Sequence, residues 1–585
     1  MKRPRRNGDK PAMKRNLAAL GWLAVIGLYM GLTALAYAGR APNEFDEYIP
    51  LVLGRLIRQG LTPYTDFFSH YPPGSMYLHA ASMAIAGETV LAQHFLHLVF
   101  YLATAALFWR WARRVLGGDD LALPATLLFV AGCAPLLATT SWIGFCLALA
   151  AVLVCWLRWG REGPPAAGWF ALCGVLAGMT LLTRINFAVY AAAAVGLAVA
   201  AELAETRQQL GWRTAIAQGA KRLVAFAVPM VVCLGVWLLP YGRQMRAPVE
   251  QTVLFLMGMI PAHRFIELPV NPWMFYALAA PAGWFAIRLL LANRPLFEAA
   301  VPAVAGGILA GVLLWRRTDP GVYTTALALS WSLAAALQWW RRVLRPAELG
   351  MLVFYSGIVH YSLTRADDWH LIHLVPAALA LAPFLFTSEL MQAVPRRVSA
   401  LALTAAVAVL VTWIPYRPLW PDVQKGAYLL WRGGLMERIP DAERMARPAS
   451  EAGPWGLLYP DRDELAAVRY VRERTRPDEA VFAGVKDHSR LYLNNVRLYW
   501  LLDRPVPTPY VNFEPGLVTE RDVQERMISA LEARRVRWAV LQEISGGDET
   551  FRKRGYRGST LLDEYLAERF TTVAEFGRIA VLARR

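Results

Sequence analysis

Apolar runs of the length that crosses a bilayer, about 20 residues each, recur through positions 16–415, and the pattern changes beyond them. Divided at charged residues and Pro/Gly breaks, the pattern predicts about thirteen spanning helices. They fall at 16–39, 89–109, 120–138, 142–158, 167–183, 185–201, 222–241, 273–291, 297–315, 322–340, 347–364, 371–389 and 399–415. Between the first two lies a long non-spanning stretch, 40–88. Within it "FDEYIPLVLGRLIRQG" has apolar residues at 45, 49, 51–53, 56 and 57. That spacing predicts an amphipathic helix with one face in the membrane interface and Arg55 and Arg58 on the other. A second short apolar segment follows at 75–87.

From 416 onward charge rises and helix-like segments ("DELAAVRYVRERT", "ERDVQERMISALEARRVR") alternate with strand-like ones ("AVFAGV", "WAVLQEI", "IAVLAR"). The expectation is a mostly α polytopic membrane protein with a C-terminal soluble α/β domain. Its parts would be a basic N-terminus at 1–15, a membrane domain at 16–415 with a first outer loop at 40–88, and the soluble domain at 416–585. "SGGDET" follows a strand but matches neither the GxGxxG nor the P-loop pattern.

Charge then orients the chain. If the basic N-terminus is cytoplasmic, "RWARR" (110–114), "RWGR" (158–161), "KR" (221–222), "WWRRVLR" (339–345) and "PRR" (395–397) all fall on that side, as the positive-inside rule requires. Arg316-Arg317 is the exception. An odd number of spans puts the acidic first loop and the C-terminal domain on the opposite face, the periplasmic or extracellular side of a bacterial inner membrane. The N-terminal apolar run is too long for a signal-peptide core and lacks a clear small-residue cleavage site, which reads as an uncleaved span.

The 585 residues are 56% hydrophobic and 18% charged, against about 25% charged in soluble domains. The net charge of +17 therefore reflects Arg at span ends, and nucleic acid is not the expected partner. The five Cys all lie in apolar runs without CxxC spacing, and read as small core residues.

The chemistry gathers in the first loop. Asp46 and Glu47 stand at the start of the amphipathic segment. One reading is that they cap its helix; the other is that they serve a reaction. "GLTPYTDFFSHYPPG" adds Asp66, His70 and Tyr71 before Pro72-Pro73, whose fixed φ stiffens the loop. A stiff polar loop just outside the bilayer presents carboxylates to a lipid head group.

"FDEY" with "GLTPYTDFFSHYPPG" resembles the first periplasmic loop of the GT-C membrane glycosyltransferases. The likeness is to the branch of protein mannosyltransferases, aminoarabinose transferases of lipid A and rhizobial lipopolysaccharide transferases. It extends to the plan of an acidic first outer loop, eleven or more spans and an outer C-terminal domain. The resemblance implies a sugar donor on a polyprenyl phosphate, an extracytoplasmic glycan, lipid or protein acceptor, and an inverting transfer. Asp46 would be the general base that takes the acceptor proton, within about 3 Å of it. Glu47 would orient Asp46 or bind the sugar, and Asp66 would act similarly. Some relatives carry a Lys where this chain has Tyr71, so a phosphate-binding task would pass to His70 or an Arg.

A lipid-phosphate leaving group needs donors where its charge develops. "LLTRIN" places Arg184 at an outer turn, as a phosphate contact or a snorkelling anchor. "IPAHRFIELP" supplies His263 and Arg264. "LTRADDWHLIHLVP" supplies Arg365, Asp367, His370 and His373, of which the two His share a helical face. With Asp367 they suit either phosphate and sugar contacts or a divalent metal cation. The Asn-, Tyr- and Arg-rich stretch 486–516 reads as an acceptor-binding surface or as a solvated loop. The rival class is a transporter or flippase of a lipid-linked or ionic substrate, which places ionisable groups inside the spans; here the spans are nearly free of them.

Overall fold

The computed structural model describes residues 9–38, 45–158, 166–255, 346–364, 370, 372–386, 462–514, 516–544 and 556–585. The predicted spans at 273–291, 297–315, 322–340 and 399–415, and the domain boundary at 416, lie outside the described residues. What is described is mostly helical, with one small sheet near the C-terminus.

The membrane part contains α1 (Asp9–Ala38), α4 (Val90–Leu116), α5 (Asp119–Cys133), α6 (Trp142–Arg158), α7 (Ala167–Thr183), α8 (Ile185–Leu210), α9 (Trp212–Leu238), α10 (Pro346–Thr364) and α11 (Leu374–Phe386). α2 (Tyr48–Arg58) and α3 (Gly74–Ala86) are the short helices of the first loop. Among the described residues, five stretches are long and apolar enough to cross a bilayer: 18–35, 90–116, 119–138, 185–207 and 212–244. α6 and α7 are shorter apolar helices.

α8 and α9 run well past the predicted ends at 201 and 222. The extension is held by an ion pair between buried side chains, with Arg222 Nη1 donating to Glu202 Oε2 at 2.7 Å. Hydrophobicity marks where lipid stops, whereas a helix stops only where its hydrogen-bond ladder does. Four of the five Cys (Cys133, Cys146, Cys155 and Cys173) are buried in the bundle and none is paired in a disulfide.

Several helix ends meet at one end of this bundle. Tyr37 near the end of α1 donates to the carbonyl of Leu137, after α5, at 2.6 Å. Ser141, before α6, touches His373, before α11. Arg184, between α7 and α8, donates to Tyr361 near the end of α10. The first loop is seated there too. A Cβ on Gly74 would come within 2.6 Å of the Leu182 carbonyl, so the glycine after Pro72-Pro73 is what lets α3 start against the end of α7.

α2 departs from the interfacial helix expected. Its residues 48–54 and 56 are all buried, because α3 covers one side and the C-terminal domain the other. A Cβ on Gly54 would come within 3.2 Å of the Ala80 backbone N on α3, so the two helices approach closely there. Glu47 sits at the N-cap position, yet its side chain caps no backbone amide. The capping reading therefore lacks its defining bond at Glu47.

The C-terminal domain has α12 (Arg462–Arg474), β1 (Val481–Val485), α13 (Arg497–Leu502), α14 (Arg521–Ala533), β2 (Trp538–Gln542), α15 (Leu561–Arg569), β3 (Phe570–Phe576) and β4 (Ile579–Arg584). The sheet order is β1-β2-β4-β3, with β1 and β2 parallel and the remaining pairs antiparallel. Its core is continuous with the first loop: Tyr48, Leu51, Leu53 and Met76 pack in one cluster with Leu465, Val468, Val481, Trp500 and Val581. Arg55 was expected on the open face of α2. Instead its guanidinium lies 3.8 Å over the Trp500 ring and within 3.4 Å of Asp503 and Glu88.

Inside this joint, Glu464 accepts two bonds from Arg497, Nε to Oε1 at 3.1 Å and Nη2 to Oε2 at 2.5 Å, and one from Asn495 at 2.6 Å. Both charged side chains are under a tenth exposed. Replacing Glu464 by Leu strands the guanidinium, which costs about 3–5 kcal/mol for a broken buried pair. Thermal unfolding of the purified full-length chain is expected to show that loss, and an unchanged melting profile would contradict the buried network.

Candidate functional site

The site grows from the short loop between α2 and α3. Tyr64 has a left-handed backbone, φ 67°, a conformation that costs a non-glycine residue about 1–3 kcal/mol. Its surroundings hold it there. Its N–H donates to the Phe67 carbonyl at 2.8 Å, its phenol donates to the Tyr71 carbonyl at 2.7 Å, and its own carbonyl accepts from Gln251 Nε2 at 2.9 Å. Gln251, from the short helical segment 246–254 that follows α9, also accepts from the Ser69 N–H at 3.0 Å. One amide side chain thus ties both limbs of the loop to the bundle.

Asp66 belongs to the loop's own fold. It is exposed, and its carboxylate accepts from the Thr62 N–H at 2.7 Å while its N–H donates back to the Thr62 carbonyl. It is a turn residue on the outside, apart from the group around Tyr71.

Tyr71 is the meeting point. The Arg184 guanidinium carbon lies 4.7 Å from its ring centre, and the His70 ring centre lies 3.7 Å away. Burial pushes the phenol pKa well above its usual value; Arg184 draws it down, and the carboxylates of Glu514 and Asp46 push it up. A buried phenol with that balance keeps its proton, so it donates to an anion. Asp46 is half-buried and Glu47 wholly buried. A cavity of about 10 Å³ lined by Tyr71, Ser75, Thr140 and Thr183 lies beside the ring, room for about one water.

Arg184 is held on the other side by Tyr361, to whose hydroxyl its Nη2 donates at 3.1 Å. The Tyr361 ring packs within 5.0 Å of both His370 and His373. His373 is fully buried, with Nε2 2.7 Å from Ser141 Oγ and Nδ1 3.1 Å from the His370 carbonyl. Both ring nitrogens thus face protein partners, which fits a structural support for Tyr361 better than a metal ligand. Among the described residues no three of His, Cys, Asp and Glu stand together as a metal site. His263, Arg264, Arg365 and Asp367 lie outside the described residues.

The structure therefore brings Asp46, His70, Tyr71 and Arg184 together, with His370 and His373 behind Tyr361. It also adds Glu514, from the stretch 486–516. That stretch is not a solvated loop: His488, Asn494, Asn495, Arg497, Asn512 and Glu514 are all buried. Its 503–514 segment lies over the first loop, with the Phe68 N–H donating to the Pro509 carbonyl at 2.8 Å. Glu514 Oε1 comes 3.5 Å from His70 Nδ1 and accepts from Asn512 Nδ2 at 2.9 Å. The signal for Glu514 was a lone acid amid "YVNFEPG"; Gln251 had none.

No family model matches the chain, and no curated protein does. Solved structures do. The crystal structure of ArnT from Cupriavidus metallidurans bound to undecaprenyl phosphate aligns over 96% of this chain and 98% of its own, at 15% identity and a TM-score of 0.48. The same protein in the apo state aligns over 97% and 98%, at 16% identity and a TM-score of 0.49. A likeness at that level describes the general course of the chain. It transfers neither lipid nor residue role to this protein.

Gln251→Ala removes both ties between loop and bundle, worth about 1 kcal/mol each. Hydrogen exchange of the amides at 61–73 is expected to quicken by about tenfold or more, with the sheet amides unchanged. Equal protection in wild type and variant would mean that the loop is held otherwise.

Proposed function

We propose that the protein is a membrane glycosyltransferase that moves a sugar from a polyprenyl-phosphate donor to an acceptor outside the cytoplasm, with inversion at the anomeric carbon. The observation that carries this reading is the company of Tyr71: a half-buried carboxylate, Asp46, and a guanidinium, Arg184, both act on one phenol at the end of a helix bundle. A carboxylate there suits removal of a proton from an acceptor hydroxyl. A guanidinium and a protonated phenol suit an anionic lipid-phosphate leaving group. The sequence resemblance of the first loop assigns the same tasks.

In this mechanism the acceptor oxygen attacks the anomeric carbon from the face opposite the phosphate, and the bond from that carbon to the phosphate oxygen breaks. Asp46 takes the acceptor proton and the bonding pair leaves with the lipid phosphate. Glu47 is fully buried at the foot of α2, which supports an orienting role over a sugar contact. Arg184 and His70 meet the phosphate. Tyr71 stands where some relatives have a Lys, and supplies a donor without a charge. His263, Arg264 and Arg365 are further candidates for phosphate or sugar, and Asp66 is not assigned a contact. No resident metal is required by this scheme.

The test replaces Asp46 by Asn. Transfer from labelled polyprenyl-phosphate sugars by purified protein in detergent is expected to fall by about 10²–10⁴, while binding of undecaprenyl phosphate persists. Normal transfer by a well-expressed variant removes Asp46 as the base. Turnover by wild type in detergent, where no sealed compartment exists, also separates an enzyme from an obligatory transporter.

A further inference from the structure

We infer that the C-terminal domain carries a binding site for the sugar chain of the acceptor, in the cavity where α14 and α15 begin. The inference rests on the glycosyltransferase reading above and narrows its acceptor to a glycan.

The cavity measures about 460 Å³, within the range of about 300–1,000 Å³ usual for small-molecule sites. Its lining comes from two stretches of chain, Thr519, Glu520 and Arg521 on one, and Ser559, Thr560 and Glu564 on the other. The protein joins them without help from a ligand. The Ser559 N–H donates to the Thr519 carbonyl at 2.9 Å. Gln524 is fully buried; its Nε2 donates to the Ser559 carbonyl at 2.7 Å and to the Val518 carbonyl at 2.9 Å, and its Oε1 accepts from the Leu562 N–H at 2.9 Å. A Cβ on Gly558 would come within 2.4 Å of the Thr519 carbonyl oxygen, so a glycine is needed for the two stretches to lie this close. A cavity fixed in advance loses little to ordering when it binds.

Two features point to a ligand. Thr519 is 4% exposed, and its hydroxyl has no hydrogen-bond partner among the described residues. A buried polar group left in that state costs about 1–3 kcal/mol, which a ligand oxygen in the cavity would offset. The second feature is the start of α14. Its ladder begins with the Gln524 N–H on the Glu520 carbonyl at 3.1 Å, and the Glu520 side chain caps no amide. The amides of 521–523 precede that first bond and lie outside the ladder. α15 differs, since the Leu561 and Leu562 N–H groups donate to Ser559 Oγ and Gln524 Oε1.

Charge selects the class of ligand. Free amides and Arg521 suit an anion, but the carboxylates of Glu520 and Glu564 line the same cavity. Those carboxylates suit a cation, which the amides and Arg521 disfavour. A sugar hydroxyl answers both, because it accepts from an N–H and donates to a carboxylate at once. Tyr556, also in the lining, adds an aromatic ring for the apolar face of a sugar. The cavity is also near the transfer site. The Leu517 N–H donates to the Glu514 carbonyl at 3.0 Å and the Glu520 N–H to the Leu517 carbonyl at 3.2 Å, so two turns lead from Glu514, beside His70, to the cavity. The five steps from Glu514 to Thr519 span at most about 18 Å even when fully extended. A glycan of a few sugars seated in the cavity is long enough to cross that distance.

The experiment uses the purified full-length chain in detergent and, as probe, envelope polysaccharide from the cells that make it, freed of lipid by mild acid. Hydrogen exchange of the amides at 519–523 is expected to slow about threefold or more when the polysaccharide is added, with those at 61–73 unchanged. In transfer from a labelled polyprenyl-phosphate sugar, Thr519→Val and Glu520→Gln are each expected to raise the KM for polysaccharide about three- to tenfold, with kcat and the KM for the donor as in wild type. Thr519→Val keeps the shape of the side chain, and exchange of the sheet amides reports that each variant is folded. Unchanged exchange at 519–523, or the same slowing by inorganic phosphate alone, overturns the inference while leaving Asp46-dependent transfer intact. So does a KM for polysaccharide that neither variant moves. Absence of transfer by wild type overturns the glycosyltransferase reading, and protection of 519–523 by the polysaccharide would then still support the glycan site.

Discussion

The contact on which the rest of the site depends is the guanidinium of Arg184 lying against the Tyr71 ring. Arg184 occupies the break between α7 and α8, with an extended backbone at φ −158°, so its charge is delivered at the mouth of the bundle and not along a helix face. Such a charge, partly withdrawn from water, is stable only with aromatic faces, donors' partners and carboxylates around it. Tyr71 and Tyr361 supply the first two, and the carboxylates of Asp46 and Glu514 lie close enough to act on the same Tyr71 phenol. The first loop is thus drawn to the bundle by electrostatics and fixed there by sterics, with Gly74 tight on Leu182.

The second constraint is that the first loop has no independent core. α2 is buried over most of its length, against α3 and against the C-terminal domain. A two-helix loop of that kind cannot hold Asp46 and Glu47 in place alone, because it cannot bury enough area to offset its own ordering. The C-terminal domain supplies further cover through Trp500, Asp503 and the 503–514 segment. It acts as a wall of the site.

Much of this was legible before any coordinates. The described spanning helices overlie the hydrophobic runs, with α1, α4, α8 and α9 extending beyond them at one end, because lipid imposes a length and a composition that periodicity detects directly. The strands at 481–485, 538–542 and 579–584 carry apolar runs and were legible too, whereas β3 (Phe570–Phe576) alternates with mostly exposed residues and was not. Asp46, His70 and Arg184 were visible because charge is scarce in such a chain. Arg55 was misplaced for a physical reason. On a helical wheel it looks solvent-facing, and only a partner domain hundreds of residues away turns that face inward. Glu514 stayed hidden by the same logic, since a buried acid in a soluble domain looks like any other acid until the fold shows what covers it.

The bundle interior bears on the choice between chemistry at its mouth and passage through it. A transport path needs polar groups whose bonding can be exchanged along the membrane normal. Some buried polar groups of α1, α4 and the 134–141 turn do have fixed backbone partners: Tyr37 and His97 on the Leu137 carbonyl, Tyr101 on the Val130 carbonyl, and the Trp142 indole on the His97 carbonyl. Glu202 and Arg222 are bonded to each other on the extensions of α8 and α9, away from the Tyr71 end. Those bonds tie the helices together below the site, and the titratable groups Asp46, His70 and Glu514 gather around Tyr71. A cluster of that composition fits chemistry at the mouth of the bundle better than passage along its length.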